Sequence, residues 1–206
     1  MSFLNNTTSF TRFRVIDDVP STLWPEIPDI LKKYAFKSID ELPEDRGWGW
    51  ACFEDMLDTE WLEFPPQKGG EYYTFSLRLE TRRVPPAVFK KYYGLRMKEE
   101  LAKAKEMGKT YVAKDRKREV KDQVMMNLKK RFLPIPAEFQ VVWNTSTRTV
   151  FVASTSAKVL ELFEELFVLS FNLHLEQLTP YGLAASLFSE TELEKLEMLE
   201  ATSFRK

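Results

Sequence analysis

The residue types able to do chemistry sit in three places, and the largest group is cationic. From Arg82 to Arg131 there are seventeen Lys and Arg against six Asp and Glu, a local charge of +11. The other residues carry thirteen basic and twenty-five acidic groups, so the formal net charge of -1 hides a segregation. Charge asymmetry of this kind bears on partners rather than on fold.

The spacing of these cations follows a helix. Lys91, Lys98 and Lys105 recur every seven residues and share one stripe, which Lys90, Arg96 and Lys103 widen. Further on, Lys114, Arg118 and Lys121 align at i, i+4 and i+7, with Arg116 and Lys117 beside them and Lys129, Lys130 and Arg131 closing the run. Val88, Leu95, Leu101 and Ala102 are expected to face a second helix whose apolar seam is Val120, Val124 and Leu128. The pattern predicts cations concentrated on one side of a two-helix arm. Duplex DNA carries a phosphate about every 1.7 Å of axis, and counterion release drives binding of such an arm. A solvated helix face normally mixes charge signs for i, i+4 pairing, and acids are sparse on the second helix.

The second place is acidic: Glu54, Asp55, Asp58, Glu60 and Glu63. Converging carboxylates are what a metal-dependent nuclease needs. A solvated acidic edge is the plainer reading. A further alternative is a protein-interaction face, in which Trp48, Trp50, Phe53 and Trp61 interleave with the acids; the role of residues 48–63 stays open. The third place is nearly empty. One histidine, His174, and one cysteine, Cys52, cannot build a His/Cys metal site. Neither G-x-x-x-x-G-K-[ST] nor G-x-G-x-x-G occurs, and Gly47–Trp48–Gly49 is expected to be a turn rather than a phosphate cradle. No cofactor, no metal and no catalytic residue is expected, and the chain is read as a non-enzyme.

These residues need elements to position them. Ser9–Ile16 reads as a strand with Phe13 and Val15 on one face. Ser21–Phe36 reads as a helix, with Ser21 the N-cap, Pro25 in the first turn and Pro28 a kink. Glu41–Gly49 is turn-rich, Trp50–Phe64 is assigned to a strand and Pro65–Gly70 to a loop. In Glu71–Glu80, Tyr73, Phe75, Leu77 and Leu79 alternate with polar neighbours, the clearest strand. Pro85–Pro86 opens a helix over Ala87–Met107 that Gly108 stops, and Lys114–Phe132 is its partner, giving an αα-hairpin. Phe139–Asn144 and Thr149–Ser154 read as strands, and Ala157–Leu169 and Glu190–Leu199 as helices. The expected fold is α+β: an antiparallel sheet with packed helices and an inserted basic αα-hairpin, or tip. Residues 1–82 together with 133–206 are expected to form the central α+β domain, and residues 83–132 the hairpin.

Of the 206 residues 44% are hydrophobic and 14% aromatic, enough to fill a core. Uncharged stretches fall short of ~18 apolar residues, so no membrane span is expected. Met1–Thr11 lacks the layout of a signal peptide, and the single cysteine fits a cytoplasmic protein.

The arm carries a resemblance. Arg83-Val-Pro-Pro-Ala-Val88 leading to a basic helix, Gly108–Lys109, and then Lys114-Asp-Arg-Lys-Arg-Glu-Val-Lys-Asp-Gln-Val124 resemble the recombination-associated protein RdgC family of bacteria. The likeness continues through Leu128, Arg131, Val150-Phe-Val152 and Ser156-Ala-Lys158, and upstream in Ala35–Phe36 and Gly47–Trp48; it covers Phe10 to Pro180. The resemblance implies a nucleoid-associated homodimer that encircles duplex DNA without sequence preference and antagonises RecA-promoted strand exchange. It implies an antiparallel-sheet centre with a helical tip. The family has a Leu-Pro-Arg-Ala-Phe sequence at its dimer gate; here Arg131 matches the Arg, and Phe132 or Leu133 stands for the Phe, which marks both as the expected dimer contact. The sequence stops at Lys206, short of the family's further C-terminal domain, so the likeness is to a short form and ring closure is open.

Overall fold

The computed structural model describes residue 3, residues 7–42 and residues 44–199. Two long strands, β4 (Tyr72–Thr81) and β5 (Ile135–Asn144), pair antiparallel along their whole length, from Tyr72 opposite Asn144 to Thr81 opposite Ile135. Around them lie β1 (Thr11–Val15), β2 (Arg46–Ala51), β3 (Gln67–Lys68), β6 (Thr149–Val152) and β7 (Leu175–Gln177). The order is β2-β4-β5-β6-β1-β7, with β3 also on β4, and these strands all pair antiparallel. The helices are α1 (Leu23–Lys33), α2 (Pro86–Glu106), α3 (Lys114–Lys129), α4 (Ala157–Phe171), α5 (Pro180–Leu187) and α6 (Glu190–Glu197). The fold class is α+β, an antiparallel sheet with packed helices. No helix among the described residues is long and apolar enough to cross a membrane.

The period of two in β4 and β5 puts Tyr73, Phe75, Leu77, Val141 and Trp143 on one face, under α1 and α4. Leu23, Ile27 and Leu31 come from α1; Phe163, Phe167 and Phe171 come from α4 at i, i+4 spacing. The aromatic rings interlock: Phe167 lies 4.8 Å from Phe171 and 5.2 Å from Trp143, and Trp50 lies 5.0 Å from Phe75, all between centroids. Such edge-on and tilted pairs add about 0.5–1.5 kcal/mol each beyond their burial. Pro28 withholds an N–H inside α1, and the Trp24 carbonyl four residues earlier instead accepts from the Tyr73 hydroxyl at 2.8 Å. The proline thereby becomes a tie between helix and sheet. The helix starts one residue later than expected, with Thr22 rather than Ser21 at the N-cap, and it ends at Lys33 rather than Phe36.

The other face is covered by loops. Residues 52–66 return over β4 and β5: Gln140 Nε2 donates to the Phe53 carbonyl at 3.0 Å, and Thr74 N to the Pro66 carbonyl at 2.7 Å. Trp50–Phe64 was expected to be a strand, but only its first two residues, Trp50 and Ala51, belong to one, as the end of β2. The turn expected at Gly47–Trp48–Gly49 is the middle of β2 instead. A Cβ at Gly49 would stand 2.5 Å from the Phe36 backbone, and one at Gly47 would stand 2.6 Å from Ile39. The glycines serve close approach of the chain crossing beside the strand, not a turn. Arg78 stacks over the Phe36 ring at 4.2 Å, closing that layer.

β5 begins at Ile135, four residues before the expected Phe139, and includes Pro136. β6 reaches only Val141–Asn144, so the first half of β5 has an open side where a residue without N–H is tolerated. β7 and α5 were not expected at all.

Candidate nucleic-acid interface

The arm is built by α2 and α3. Pro85 and Pro86 open α2 with a pre-set φ, and Gly108 at φ 74 closes it. The helices meet through a second apolar cluster, separate from the sheet core. Val120, Val124 and Leu128 are buried there against Val88, Phe89, Tyr93 and Met97. The α3 seam is as expected from its spacing. The α2 seam is so only in part: Val88 packs there as expected, but Leu95 and Ala102 are exposed, and the contact continues through Phe89, Tyr93 and Met97. A polar tie continues it. Arg116 holds Glu100 with Nε at 2.8 Å and Nη2 at 3.0 Å, and Glu119 with Nη1 at 2.8 Å. These bonds keep the Glu100 carboxyl below its ordinary value and raise the Arg116 guanidinium above its own. Arg116 near the start of α3 thus meets Glu100 near the end of α2, and Leu128 near the end of α3 shares a cavity with Tyr92 near the start of α2.

The predicted site cations divide into two sets. Arg96 pairs with Glu99 at 2.7 Å, Arg116 pairs as above, and Lys129 pairs with Asp45 at 2.6 Å. These three are at least partly structural. Lys90, Lys91, Lys98, Lys105, Lys114, Lys117, Arg118, Lys121, Lys130 and Arg131 are exposed, with no ion pair among the described residues. Their distribution differs from the expected single side. At about 100° per residue, Lys91, Lys98 and Lys105 fall roughly opposite the α2 seam, facing away from α3. On α3, Lys114, Lys117, Arg118 and Lys121 span about 100° of arc beside its seam, while Asp115, Glu119 and Asp122 occupy another. The cations therefore wrap the arm rather than line one side.

Arg82, counted in the basic segment, is not available to a ligand. Its side chain is buried, donating to the Ile39 and Asp40 carbonyls at 2.7 and 2.9 Å and to the Leu42 carbonyl at 2.7 Å. Its N–H donates to the Asp45 carbonyl at 2.8 Å, and Asp45 also takes Lys129, so the 39–45 segment grips both roots of the arm. No sequence signal separates this arginine from its exposed neighbours. Phe132 and Leu133, expected as the dimer contact, lie at the root of the arm. Phe132 packs into the arm's own cluster, and only Leu133, 76% exposed, stands free of it.

The acidic segment changes meaning too. Trp50, Phe53 and Trp61 are buried, and only Trp48, 39% exposed, remains of the proposed docking face. The acids serve the loop: Asp55 accepts from Leu57 N at 2.9 Å, Asp58 from Glu60 N at 2.8 Å and Leu62 N at 3.0 Å, and Glu54 holds Lys68 at 2.7 Å. No group of three or more metal-ligating side chains gathers among the described residues. Cys52 is buried, which pushes its thiol pKa up. His174 sits at the surface, its Nδ1 3.0 Å from Asp17. No protein-family model matches the chain, and no curated protein matches it.

Proposed function

We propose that this chain binds duplex DNA without sequence preference through the α2–α3 arm. The observation that carries the reading is the set of twelve exposed arm cations with no acid partner among the described residues, Arg83 and Lys109 joining the ten named above, on a chain that is otherwise acidic. Cations wrapped around a narrow two-helix element suit the repeating charge of a phosphate backbone, and nothing in the arm presents a recognition helix of a base-reading type. The likeness to the RdgC family extends the proposal to a nucleoid-associated homodimer that presents two arms and antagonises RecA. Leu133 is the exposed part of the expected dimer contact.

The test is a mobility-shift titration on random duplex DNA at several salt concentrations. The slope of log K against log salt is about −0.9 per phosphate neutralised. Changing Lys91, Lys98, Arg118 and Lys121 to Glu avoids every ion-paired arm residue, so the fold is expected to hold while binding is lost. Unchanged affinity in a folded variant overturns the arm as the binding element. Sedimentation of the native chain beside Leu133→Ser tests the dimer.

A further inference from the structure

The turn between α2 and α3 holds a cavity of about 410 Å³. That lies within the roughly 300–1,000 Å³ typical of small-ligand sites. Ala104 and Val112, both buried, give it an apolar floor. Tyr111 and Met107 stand at its edge, 69% and 70% exposed. An aromatic ring and a thioether left in water beside an apolar floor are an unfilled contact surface.

Local geometry holds this surface open. Gly108 takes the left-handed conformation, and its N–H donates to the Lys105 carbonyl at 2.9 Å. Lys109 N then reaches back to the Ala104 carbonyl at 2.8 Å, which fixes the start of the turn. The Glu100–Arg116 pair closes the cavity from beneath. Charge sets the occupant's class. Lys109 lines the cavity with no ion pair among the described residues, Lys103 lines it while shared with Glu100 at 3.8 Å, and Lys105 and Lys114 are close by in the chain. The first turn of α3 begins at the same place with no side chain capping its N–H groups. A flat apolar group carrying an anion satisfies all of these features.

We propose that this turn binds one unpaired nucleotide of DNA, its base stacked on Tyr111 above Ala104 and Val112 and its phosphate beside Lys109. The inference rests on the DNA-binding reading and deepens it. The flanks of the arm take duplex phosphates, while the turn takes a base that duplex DNA keeps inside its stack. The arm therefore favours duplexes interrupted by a short single-stranded gap.

The experiment compares three fluorescent probes by anisotropy: a continuous duplex, the same duplex with a three-nucleotide gap, and the gapped duplex with abasic sites in the gap. Base-on-aromatic stacking predicts about tenfold tighter binding of the gapped probe than of the continuous one. Abasic sites remove the gain. Tyr111→Ala removes it while leaving continuous-duplex affinity unchanged, and Tyr111→Phe keeps it. Equal affinity of the native chain for gapped and continuous DNA overturns this inference alone. So does a gain that survives Tyr111→Ala. Absence of binding to all three probes overturns the DNA-binding reading and this inference with it.

Discussion

The sheet and the arm are built on opposite economies of burial. The sheet buries one face under α1 and α4 through more than twenty apolar residues and the other under loops tied by backbone hydrogen bonds. The arm rests on three buried seam residues of α3, a few half-buried partners, and one bidentate ion pair. The difference separates what holds the fold together from what the fold leaves exposed. A deep core tolerates little change, because interiors are close-packed. The arm's outer faces contribute almost nothing to folding and are free to carry charge, at the cost of a marginal local structure.

The largest effect should come from the centre of the sheet. Phe167→Ala removes a fully buried ring in contact with Trp143, Phe163 and Phe171. A loss of about 3–5 kcal/mol is expected, a large share of a total of about 5–15. Thermal or denaturant unfolding measures it, and a loss below about 1 kcal/mol would move the centre of stability away from this cluster. Leu128→Ala tests the other side of the comparison. It empties a third of the arm's buried seam, with an expected cost near the low end of about 2–5 kcal/mol because solvent lies close by. Hydrogen exchange should accelerate in α2 and α3 while the amides of β4 and β5 stay protected. Equal acceleration in the sheet would show that arm and sheet open as one unit, and the comparison would break.

The sheet was more legible in the sequence than the arm's electrostatics. Alternation from Tyr73 reports one apolar face, and the structure buries Tyr73, Phe75 and Leu77 of it in the core while Leu79 is half-buried. Proline and glycine misled where tertiary contacts decided their role. Gly47 and Gly49 looked like a turn because the chain that crosses beside β2 is remote in sequence. The strand was expected from Phe139, past Pro136, whereas β5 starts at Ile135; the open side that admits the proline depends on how far β6 extends. In the arm, helical spacing gave the α3 seam correctly. It placed Leu95 and Ala102 in the α2 seam because α2 is polar nearly all round and its spacing admits more than one face. Spacing does not reveal that Arg82 is buried or that Arg96, Arg116 and Lys129 already have acid partners. The cavity at Tyr111 depends on a left-handed Gly108 and on Val112 folding inward, and neither follows from a periodic pattern.

The smallest expected effect sharpens the comparison most directly, because it concerns the ion pair that ties the two helices of the arm together. The Glu100 carboxyl is held below its ordinary pKa, first by hydrogen bonds from Arg116 and then by the Arg116 charge, opposed by partial desolvation. A group with a depressed folded-state pKa stabilises the fold above its unfolded value, and that contribution is lost as the pH falls through the folded value. Glu100→Gln removes the charge and keeps an acceptor. At neutral pH the variant's arm amides should exchange faster than those of the native chain. Below the usual carboxylate range the native side chain also becomes neutral, and the two chains should converge. Added salt should narrow the difference at neutral pH as well, since the pair is open to solvent and screened. The sheet amides should show neither dependence. A difference that persists undiminished into acid would mean that shape rather than charge ties Glu100 to Arg116. The arm would then be held by packing without help from that charge.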